Sequence, residues 1–280
     1  MIAYRAMLDV PRELVAHLAR LLRAERAHRG TPAGSRALTC WNHAIFALVW
    51  FRKRDDLTVL GAGFGISRAT AYRYRDEAVT VLAAHAPDLH SALEKVAADG
   101  WSHVILDGKV FTTDRVAATT LSVKGETIHA WYSGKHRDFG GNIQAIMRPD
   151  GLPIWISPVS PGHLHDLTVA TEHHVPGALY WAAAHLHLPT LADAGYESAG
   201  QGVHTPIKQP GVGQTLDVDN RTYNRVLRAL RAPGERGFAL LTQRWRALQH
   251  VTACPQKIGD IAKATLVLTH FEHHYLPDTR

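Results

Sequence analysis

Four acidic residues stand beside short apolar runs or turn signals, where a fold would place their carboxylates at the rim of a core. They are Asp107, Asp166, Asp193 and Glu235. The apolar run 104–106 comes directly before the first of them, and Leu191-Ala192 comes directly before the third. A short apolar run that ends in a turn signal is typical of a buried strand. We therefore expect Asp107 and Asp193 to lie at the ends of strands.

Carboxylates placed in this way could hold divalent cations. Mg²⁺ and Mn²⁺ prefer hard carboxylate oxygens, and phosphate oxygens can complete their coordination shell. Two such ions about 3.5 to 4 Å apart can activate an attacking oxygen and stabilise the leaving oxygen of a phosphodiester. Asp107, Asp193 and Glu235 follow one another at intervals of 86 and 42 residues, so only the fold could bring them together. The pattern favours metal-dependent processing of DNA with two Mg²⁺ or Mn²⁺ ions.

Each acid also has a simpler interpretation. Asp107 could be a turn aspartate before a glycine, and Asp193 could hydrogen-bond the turn that follows it. Glu235 could be a charge at a helix N-terminus that complements the helix dipole. The sequence alone leaves these alternatives open.

Histidines near the second acid suggest a different metal. His163, His165 and Asp166 could be zinc ligands. The 19 histidines of the chain, however, show no recurring zinc-binding frame. A structural or phosphate-contacting role for these histidines is therefore the favoured interpretation.

The composition is that of a globular protein with a basic balance of charge. Hydrophobic residues make up 46% of the 280 residues and charged residues 20%, which suits a chain that buries a sizeable core. The net charge of +6 and the pI of about 9.4 favour a polyanionic partner such as nucleic acid. Neither of the two cysteines, Cys40 and Cys254, has zinc spacing. Such sparse cysteine usage is typical of a reducing compartment.

No segment of the sequence is typical of a membrane protein. The longest uninterrupted apolar run, 44–51, is much shorter than the roughly 20 residues of a membrane span. The first 30 residues contain arginines mixed with acids and no secretory apolar segment. We therefore predict a cytoplasmic, nucleoid-associated protein with no membrane partner.

A helix-turn-helix is predicted at about residues 57–82, within a helical DNA-binding domain that spans residues 1–95. A short apolar helix, a turn with Gly65 and Ile66, and Ser67 in the capping position precede a second helix. The early part of that helix would face the major groove and the phosphates. The residues singled out there are Arg68, Thr70, Ala71, Arg73, Tyr74 and Arg75. The alternative is an ordinary helical hairpin with a solvated basic face.

Residues 96–280 are predicted to form an α/β domain with a mixed sheet. After the strand that ends at Asp107, residues 119–132 predict a hairpin around Lys124-Gly125-Glu126, and the alternating segment 142–147 predicts a further strand. Helices follow in the second half of the domain. We expect Pro233-Gly234 to end a basic amphipathic helix and the next residue, Glu235, to open another.

Several short motifs resemble, in order along the chain, the core of DDE transposases. They are Ile105-Leu106-Asp107-Gly108, Tyr132-Ser133-Gly134-Lys135-His136-Arg137, Asn142-Ile143-Gln144, Pro161-Gly162-His163-Leu164-His165-Asp166, Ala192-Asp193-Ala194-Gly195-Tyr196 and Arg231-Ala232-Pro233-Gly234-Glu235-Arg236, followed by Gln243-Arg244-Trp245. The resemblance covers about residues 38–272 and is to bacterial insertion-sequence transposases related to the PIF/Harbinger type.

This resemblance implies an RNase H-like mixed sheet flanked by helices, preceded by the all-α helix-turn-helix domain. It makes Asp107 the first catalytic acid, Asp193 the second and Glu235 the third. Asp166 could be a fourth metal-site acid or the true middle one, and Asp193 is preferred because it ends an apolar strand. Relatives often have a lysine seven residues after the glutamate. Here that position is Thr242, which puts the contacts with DNA ends in question more than metal binding.

The resemblance also implies a reaction and its partners. Such enzymes cut DNA at transposon terminal inverted repeats and join the ends to target DNA, and pairing two ends implies a homodimer or higher oligomer. Besides the helix-turn-helix, the predicted DNA contacts are Lys135, Arg137, His163, His165, Arg231 and Arg244. The alternative is a DNA-binding regulator derived from such an enzyme, with the fold but without catalytic activity.

Overall fold

The computed structural model describes residues 8–211 and 213–275. This part of the chain divides into two compact units. The first, which we call the helical unit, runs to Ala86 and also contains Leu241–His250 and the chain from Asp260 onward. The second, the sheet unit, contains Pro87–Leu240 and Val251–Gly259.

The helical unit begins with two helices that bury wide apolar faces. Helix α1, Arg12–His28, buries its leucines at spacings of three and four residues, as predicted. Helix α2, Cys40–Lys53, is capped by Thr39, whose side chain accepts a hydrogen bond from the backbone N–H of Asn42. Its interior segment from His43 to Phe51 is buried throughout. The first seven residues of the predicted N-terminal helix lie outside the described residues.

The predicted helix-turn-helix is confirmed. Helix α3, Leu57–Gly63, is followed by a turn and by helix α4, Arg68–Ala83, which Ser67 caps by accepting a hydrogen bond from the N–H of Thr70. Gly61 lies at the close approach of the two helices, since a Cβ there would be 3.0 Å from the Cβ of Ala71. The tight crossing therefore depends on a glycine at this position.

The helical unit is completed by segments from the far end of the chain. A 3₁₀ turn, Arg246–Leu248, follows helix α8, Val218–Arg244, and most of helix α9, Lys257–Glu272, belongs to this unit. Trp245 is fully buried, and its indole N–H donates to the Thr269 hydroxyl at 2.9 Å. Two consecutive domains, 1–95 and 96–280, were predicted from the sequence. The helical unit instead combines segments from both of these ranges. Apolar periodicity shows that a helix is buried, but it does not show which core buries it.

The sheet unit is built on two long antiparallel strands. Helix α5, Leu89–Ala98, leads into β1, Val104–Thr112, which pairs along its length with β5, Asp138–Met147. On its other edge, β1 pairs in parallel with β8, Thr190–Leu191. The sheet order is β4 (Tyr132–Ser133), β5, β1, β8 and β9 (Val203–His204). The combination of parallel and antiparallel pairing is the predicted mixed sheet, with helices alongside.

Shorter elements surround this centre. They are the hairpin of β2, Thr119–Leu121, and β3, Thr127–His129; the strands β4, Tyr132–Ser133, β6, Pro153–Ile156, and β7, Ser160–Pro161, which all pair with β5; the helices α6, Asp166–Glu172, and α7, Val175–His185; the 3₁₀ turn Ala194–Tyr196; and β9, Val203–His204. The hairpin around Lys124-Gly125-Glu126 is as predicted.

Helix α8, Val218–Arg244, corrects one prediction, because it runs through Pro233 without ending there. A proline inside a helix removes one backbone hydrogen bond and usually breaks or kinks it. Here the following glycines pack on the sheet: a Cβ at Gly234 would lie 2.8 Å from Ile105, and one at Gly237 would lie 2.6 Å from the Met147 sulfur. Close packing thus outweighs the local preference, and Glu235 lies inside a continuous helix.

Across the described residues, no helix has both the length and the apolar character needed to cross a membrane.

A buried histidine anchors the core of the helical unit. The Nε2–H of His43 donates to the Tyr74 carbonyl at 2.8 Å, and its Nδ1 accepts from the Arg26 guanidinium at 3.2 Å. Burial of the ring lowers the pKa of His43 to about 4 from its ordinary value of 6.5. The fold therefore requires the neutral imidazole.

We expect the free energy of unfolding to fall by up to about 3 kcal/mol as the pH is lowered from 6.5 to 4. The unfolded chain takes up a proton on His43 near pH 6.5, whereas the folded chain resists protonation until about pH 4. Stability from this group is therefore complete above pH 6.5 and is lost below it. Denaturant unfolding over this pH range, compared with His43→Gln, is the measurement, and an unchanged pH slope in the variant would contradict the prediction.

Candidate functional site

The predicted first and second acids extend from adjacent strands. In the parallel pairing of β1 with β8, Ile105 is aligned with Leu191. Asp107 and Asp193 each follow two residues later, so they lie at the same level along the sheet, Asp107 within β1 and Asp193 just after β8. The fold thus brings together two carboxylates that are 86 residues apart in the chain.

Asp107 lies inside its strand, which corrects the prediction that it ends one. β1 continues to Thr112 because it stays paired with β5 as far as Gly140. Its pairing with β8, in contrast, is formed by Val104 and Ile105. Asp107 therefore lies where one edge of the strand loses its neighbour.

The electrostatics of Asp107 are those of a partly desolvated carboxylate. The pKa of Asp107 is raised to about 6, chiefly by burial and also by the charges of Asp193 and Asp166. The backbone N–H of Gly108, which donates to the carboxylate at 3.0 Å, and the Arg231 guanidinium act in the opposite direction. A carboxylate that has lost water and faces like charges gains strongly from a bound cation.

Helix α8 approaches the face of β1 to which Asp107 points. Gly234 packs against Ile105, which is two residues before Asp107 and therefore on the same face. Arg231, one turn earlier in α8, is close enough to act on the carboxylate, and its Nε is buried without a hydrogen-bond partner in the described chain. Glu235, the predicted third acid, is exposed.

Asp166 lies on the other face of β1. A Cβ at Gly108 would be 2.6 Å from the Asp166 Oδ1 atom, and successive strand residues point to opposite faces. The carboxylate accepts hydrogen bonds from the Asn142 amide at 2.9 Å and from the Lys135 ammonium at 3.4 Å. This placement favours Asp193 over Asp166 as the partner of Asp107.

The donor set fits a divalent cation in part. Two carboxylates side by side, one of them desolvated, provide the hard oxygen ligands that Mg²⁺ and Mn²⁺ prefer. Within the described ranges, no three His, Cys, Asp or Glu side chains are grouped closely enough to form a metal site. The same observation applies to the zinc alternative. The His163 Nδ1–H donates to the Ala130 carbonyl at 2.7 Å, and His165 is exposed.

A groove of about 410 Å³ borders Asp166. It is lined by Val110, Ser133, Gly134, Lys135, His136, Asn142, Gly162, His163, Leu164, His165 and Asp166. Arg137 is exposed and adopts a left-handed backbone conformation, with φ of 55°. Three of the predicted DNA contacts, Lys135, His163 and His165, thus share one groove.

Tyr196 and Gln144, to which the sequence analysis gave no role, lie next to these acids. Tyr196 is 1% exposed, and its hydroxyl donates to the side-chain oxygen of Gln144. Burial raises the pKa of Tyr196, and the nearby Asp166 carboxylate raises it further, so the phenol keeps its proton. The sequence feature that could have indicated this contact is the alternation of Asn142 and Gln144 with apolar residues in segment 142–147.

Helix α4, which we call the recognition helix, contains both exposed and buried members of the predicted DNA contacts. Arg68 and Arg73 are exposed on α4, and Thr70 is half-buried. Ala71 and Tyr74 are buried and belong to the core.

Arg75 requires a correction, since it is only 8% exposed and cannot reach DNA from this position. Its guanidinium pairs with Asp76 at 2.6 Å and lies 5.4 Å from the ring centre of Trp50. The sequence shows that α4 is rich in arginine. Which of its arginines is exposed depends on the side of the helix that packs against the core, as Arg73 and Arg75 show.

Arg244 requires a similar correction, because the helical unit already uses its guanidinium. It forms ion pairs with Asp9 at 2.9 Å and with Glu272. These partners, led by the Glu272 carboxylate, which accepts hydrogen bonds from the guanidinium, raise the pKa of Arg244. The structure therefore gives Arg244 a role in packing the C-terminal segments, whereas the prediction made it a DNA contact.

Two regions of the chain match family models. Residues 106–270 match the model of the DDE superfamily endonuclease, and residues 36–88 match that of the helix-turn-helix of DDE superfamily endonuclease. No curated protein and no solved structure matches the chain. The sequence-based resemblance is confirmed at the level of these two families.

We expect Asp107→Asn to stabilise the protein by up to about 3 kcal/mol above pH 6. The folded-state pKa of about 6 lies above the ordinary 3.8, so the buried carboxylate binds its proton more tightly when folded. Its charge therefore lowers stability above pH 6, and this cost disappears as the pH falls towards 4. Thermal unfolding of both proteins at pH 7.5 and pH 4.5 tests the sign; a variant less stable at pH 7.5 would contradict it.

Proposed function

Because the chain belongs to the DDE superfamily endonucleases, we propose that it is a transposase that cuts DNA at terminal inverted repeats and joins the ends to target DNA. The observation that carries the proposal is the alignment of Asp107 and Asp193 on adjacent parallel strands. A helix-turn-helix in the same chain supplies a means of binding DNA. We further propose that the enzyme belongs to an insertion sequence of the PIF/Harbinger type and acts in the cytoplasm, on DNA of the nucleoid.

In this proposal, Asp107 and Asp193 hold a divalent metal, Mg²⁺ or Mn²⁺, and Glu235 is the third acid of the set. The metal, when bound, would supply positive charge for the attacking and leaving oxygens of the phosphodiester. Arg231 limits the repulsion between the carboxylates and an approaching phosphate, since its guanidinium already acts on Asp107. Asp166 is proposed as a supporting acid on the opposite face.

The DNA path is proposed from the exposed cations. Arg68, Thr70 and Arg73 of α4 would contact the terminal repeats, and the groove residues Lys135, His163 and His165, with Arg137 nearby, would contact the strand being cut. We propose a homodimer or higher oligomer, because the two ends of the transposon must be paired. Arg75 and Arg244 are left out of this path because their guanidinium groups are engaged in the helical unit.

A regulator without catalytic activity is the second candidate. The observation in its favour is that Glu235 is exposed and that no group of three metal-binding side chains forms in the described residues. Such a protein would bind DNA in the absence of metal and would not cut it.

The deciding experiment is a nicking assay on a plasmid that carries the inverted repeats flanking the gene. We expect cleavage that requires Mg²⁺ or Mn²⁺ and falls at least about 1000-fold in Asp107→Asn, Asp193→Asn and Glu235→Gln. Asp219→Asn, an exposed aspartate near the start of α8, is the matched control and should leave cleavage unchanged. Tight metal-independent binding without cleavage would identify the regulator, and full activity of Asp107→Asn would refute the assigned site.

We expect Arg73→Ala to weaken binding to the same DNA and to reduce the slope of log K against log salt by about 1. The guanidinium is exposed on α4 and would release counterions from the phosphates that it contacts. Arg23→Ala, an exposed arginine on α1, is the control. Fluorescence anisotropy over a series of salt concentrations measures both, and equal slopes for the two variants would contradict this role for α4.

A further inference from the structure

A chain of side-chain hydrogen bonds runs beneath the candidate active site. The Tyr196 hydroxyl donates to Gln144 Oε1, and Gln144 Nε2 donates to Asn142 Oδ1 at 3.0 Å. Asn142 Nδ2 then donates to Asp166 Oδ1 at 2.9 Å and to the Leu164 carbonyl at 3.1 Å. This hydrogen-bond chain therefore connects the turn after β8 with the first residue of α6 through two side chains of β5.

The direction of every bond in this chain is determined at one end. The Leu164 carbonyl and the Asp166 carboxylate can only accept, so the NH₂ group of Asn142 must face them. Its oxygen must then accept from Gln144, whose own oxygen must accept from the Tyr196 hydroxyl. A chain with one allowed direction and buried members permits a single arrangement, and its bonds strengthen one another.

Burial makes the chain costly to break. Gln144 is 0% exposed, Tyr196 1% and Asn142 2%, so water cannot easily replace a lost partner. Gly108, directly after the first acid, provides the space: a Cβ there would lie 2.6 Å from Asp166 Oδ1 and 2.8 Å from Gln144 Nε2. The dipeptide Asp107-Gly108 thus places a carboxylate on one face of β1 and leaves room for the hydrogen-bond chain on the other.

Tyr196 also belongs to the turn that carries the second acid. Asp193 Oδ1 accepts from the Gly195 N–H at 2.8 Å, and the Tyr196 N–H donates to the Asp193 carbonyl at 3.2 Å. The strand before this turn, β8, has two residues, which leaves little pairing to hold the turn in place. A buried ring whose hydroxyl is bound to β5 restrains the turn from its other end.

We infer that Tyr196, Gln144, Asn142 and Asp166 are positioning residues that hold the Asp193 carboxylate level with Asp107. The inference rests on the proposed function, because it takes these two acids as the metal ligands. Asp166 is needed in this role as a hydrogen-bond acceptor on the far face of the strand. Its negative charge is not required, which distinguishes the role from that of a metal ligand.

Two pairs of variants test this. Tyr196→Phe removes only the hydroxyl that starts the chain, and Tyr180→Phe removes an exposed tyrosine hydroxyl as a matched control. Asp166→Asn keeps an acceptor for Asn142, whereas Asp166→Ala removes it. In the full-length protein without metal or DNA, we expect hydrogen exchange in residues 193–197 to accelerate about tenfold in Tyr196→Phe and Asp166→Ala. Tyr180→Phe and Asp166→Asn should behave like the unmodified protein.

Metal dependence provides the second measurement. We expect the Mn²⁺ concentration for half-maximal cleavage to rise about tenfold in Tyr196→Phe, with the KM for DNA unchanged, and to stay near the original value in Tyr180→Phe. Unchanged exchange and unchanged Mn²⁺ dependence in Tyr196→Phe would overturn the inference. So would a loss of Mn²⁺-dependent cleavage in Asp166→Asn as large as that in Asp107→Asn. If the unmodified protein cleaves no DNA, the proposed function fails, while the exchange measurement still decides whether the chain holds the turn.

Discussion

The Asp107 carboxylate lies where the sheet offers it little water and where the charges of Asp193 and Asp166 act on it, and the rest of the sheet unit is arranged around that constraint. Burial and like charge both oppose the ionised form of Asp107, as its pKa of about 6 indicates. Such an arrangement persists only when the backbone on each side is strongly held. The long pairing of β1 with β5 provides that support on one edge, and the packing of α8 against Ile105 provides it on one face. The desolvation that lowers stability is the same property that favours a bound cation.

Much of this organisation could be predicted from the sequence. The apolar run before Asp107, the serine cap of the recognition helix and the hairpin around Lys124-Gly125-Glu126 are local signals, and the structure confirms the elements that they indicate. The pairing of Asp107 with Asp193 was predicted only through an ordered set of motifs. Spacing along the chain contains no information on which strands become neighbours.

The errors share a physical cause. Pro233 was expected to end a helix, yet the helix continues because the glycines beside it allow close packing on the sheet. Arg75 and Arg244 were expected to meet DNA, yet both guanidinium groups are engaged in the helical unit. In each case a contact distant in sequence outweighs a local preference. The series of side-chain hydrogen bonds that links Tyr196 to Asp166 was missed for the same reason, since its four residues come from different parts of the sheet unit.

The order of the segments has a consequence for how the chain assembles during synthesis. The sheet unit is complete once residue 259 has emerged from the ribosome, whereas the helical unit also needs Trp245 and Thr269, whose side chains meet in its core. The segment that binds DNA in our proposal is therefore made early but acquires its full core late. Nascent chains would carry an unfinished DNA-binding surface, and a fragment limited to residues 1–86 would leave apolar surface uncovered.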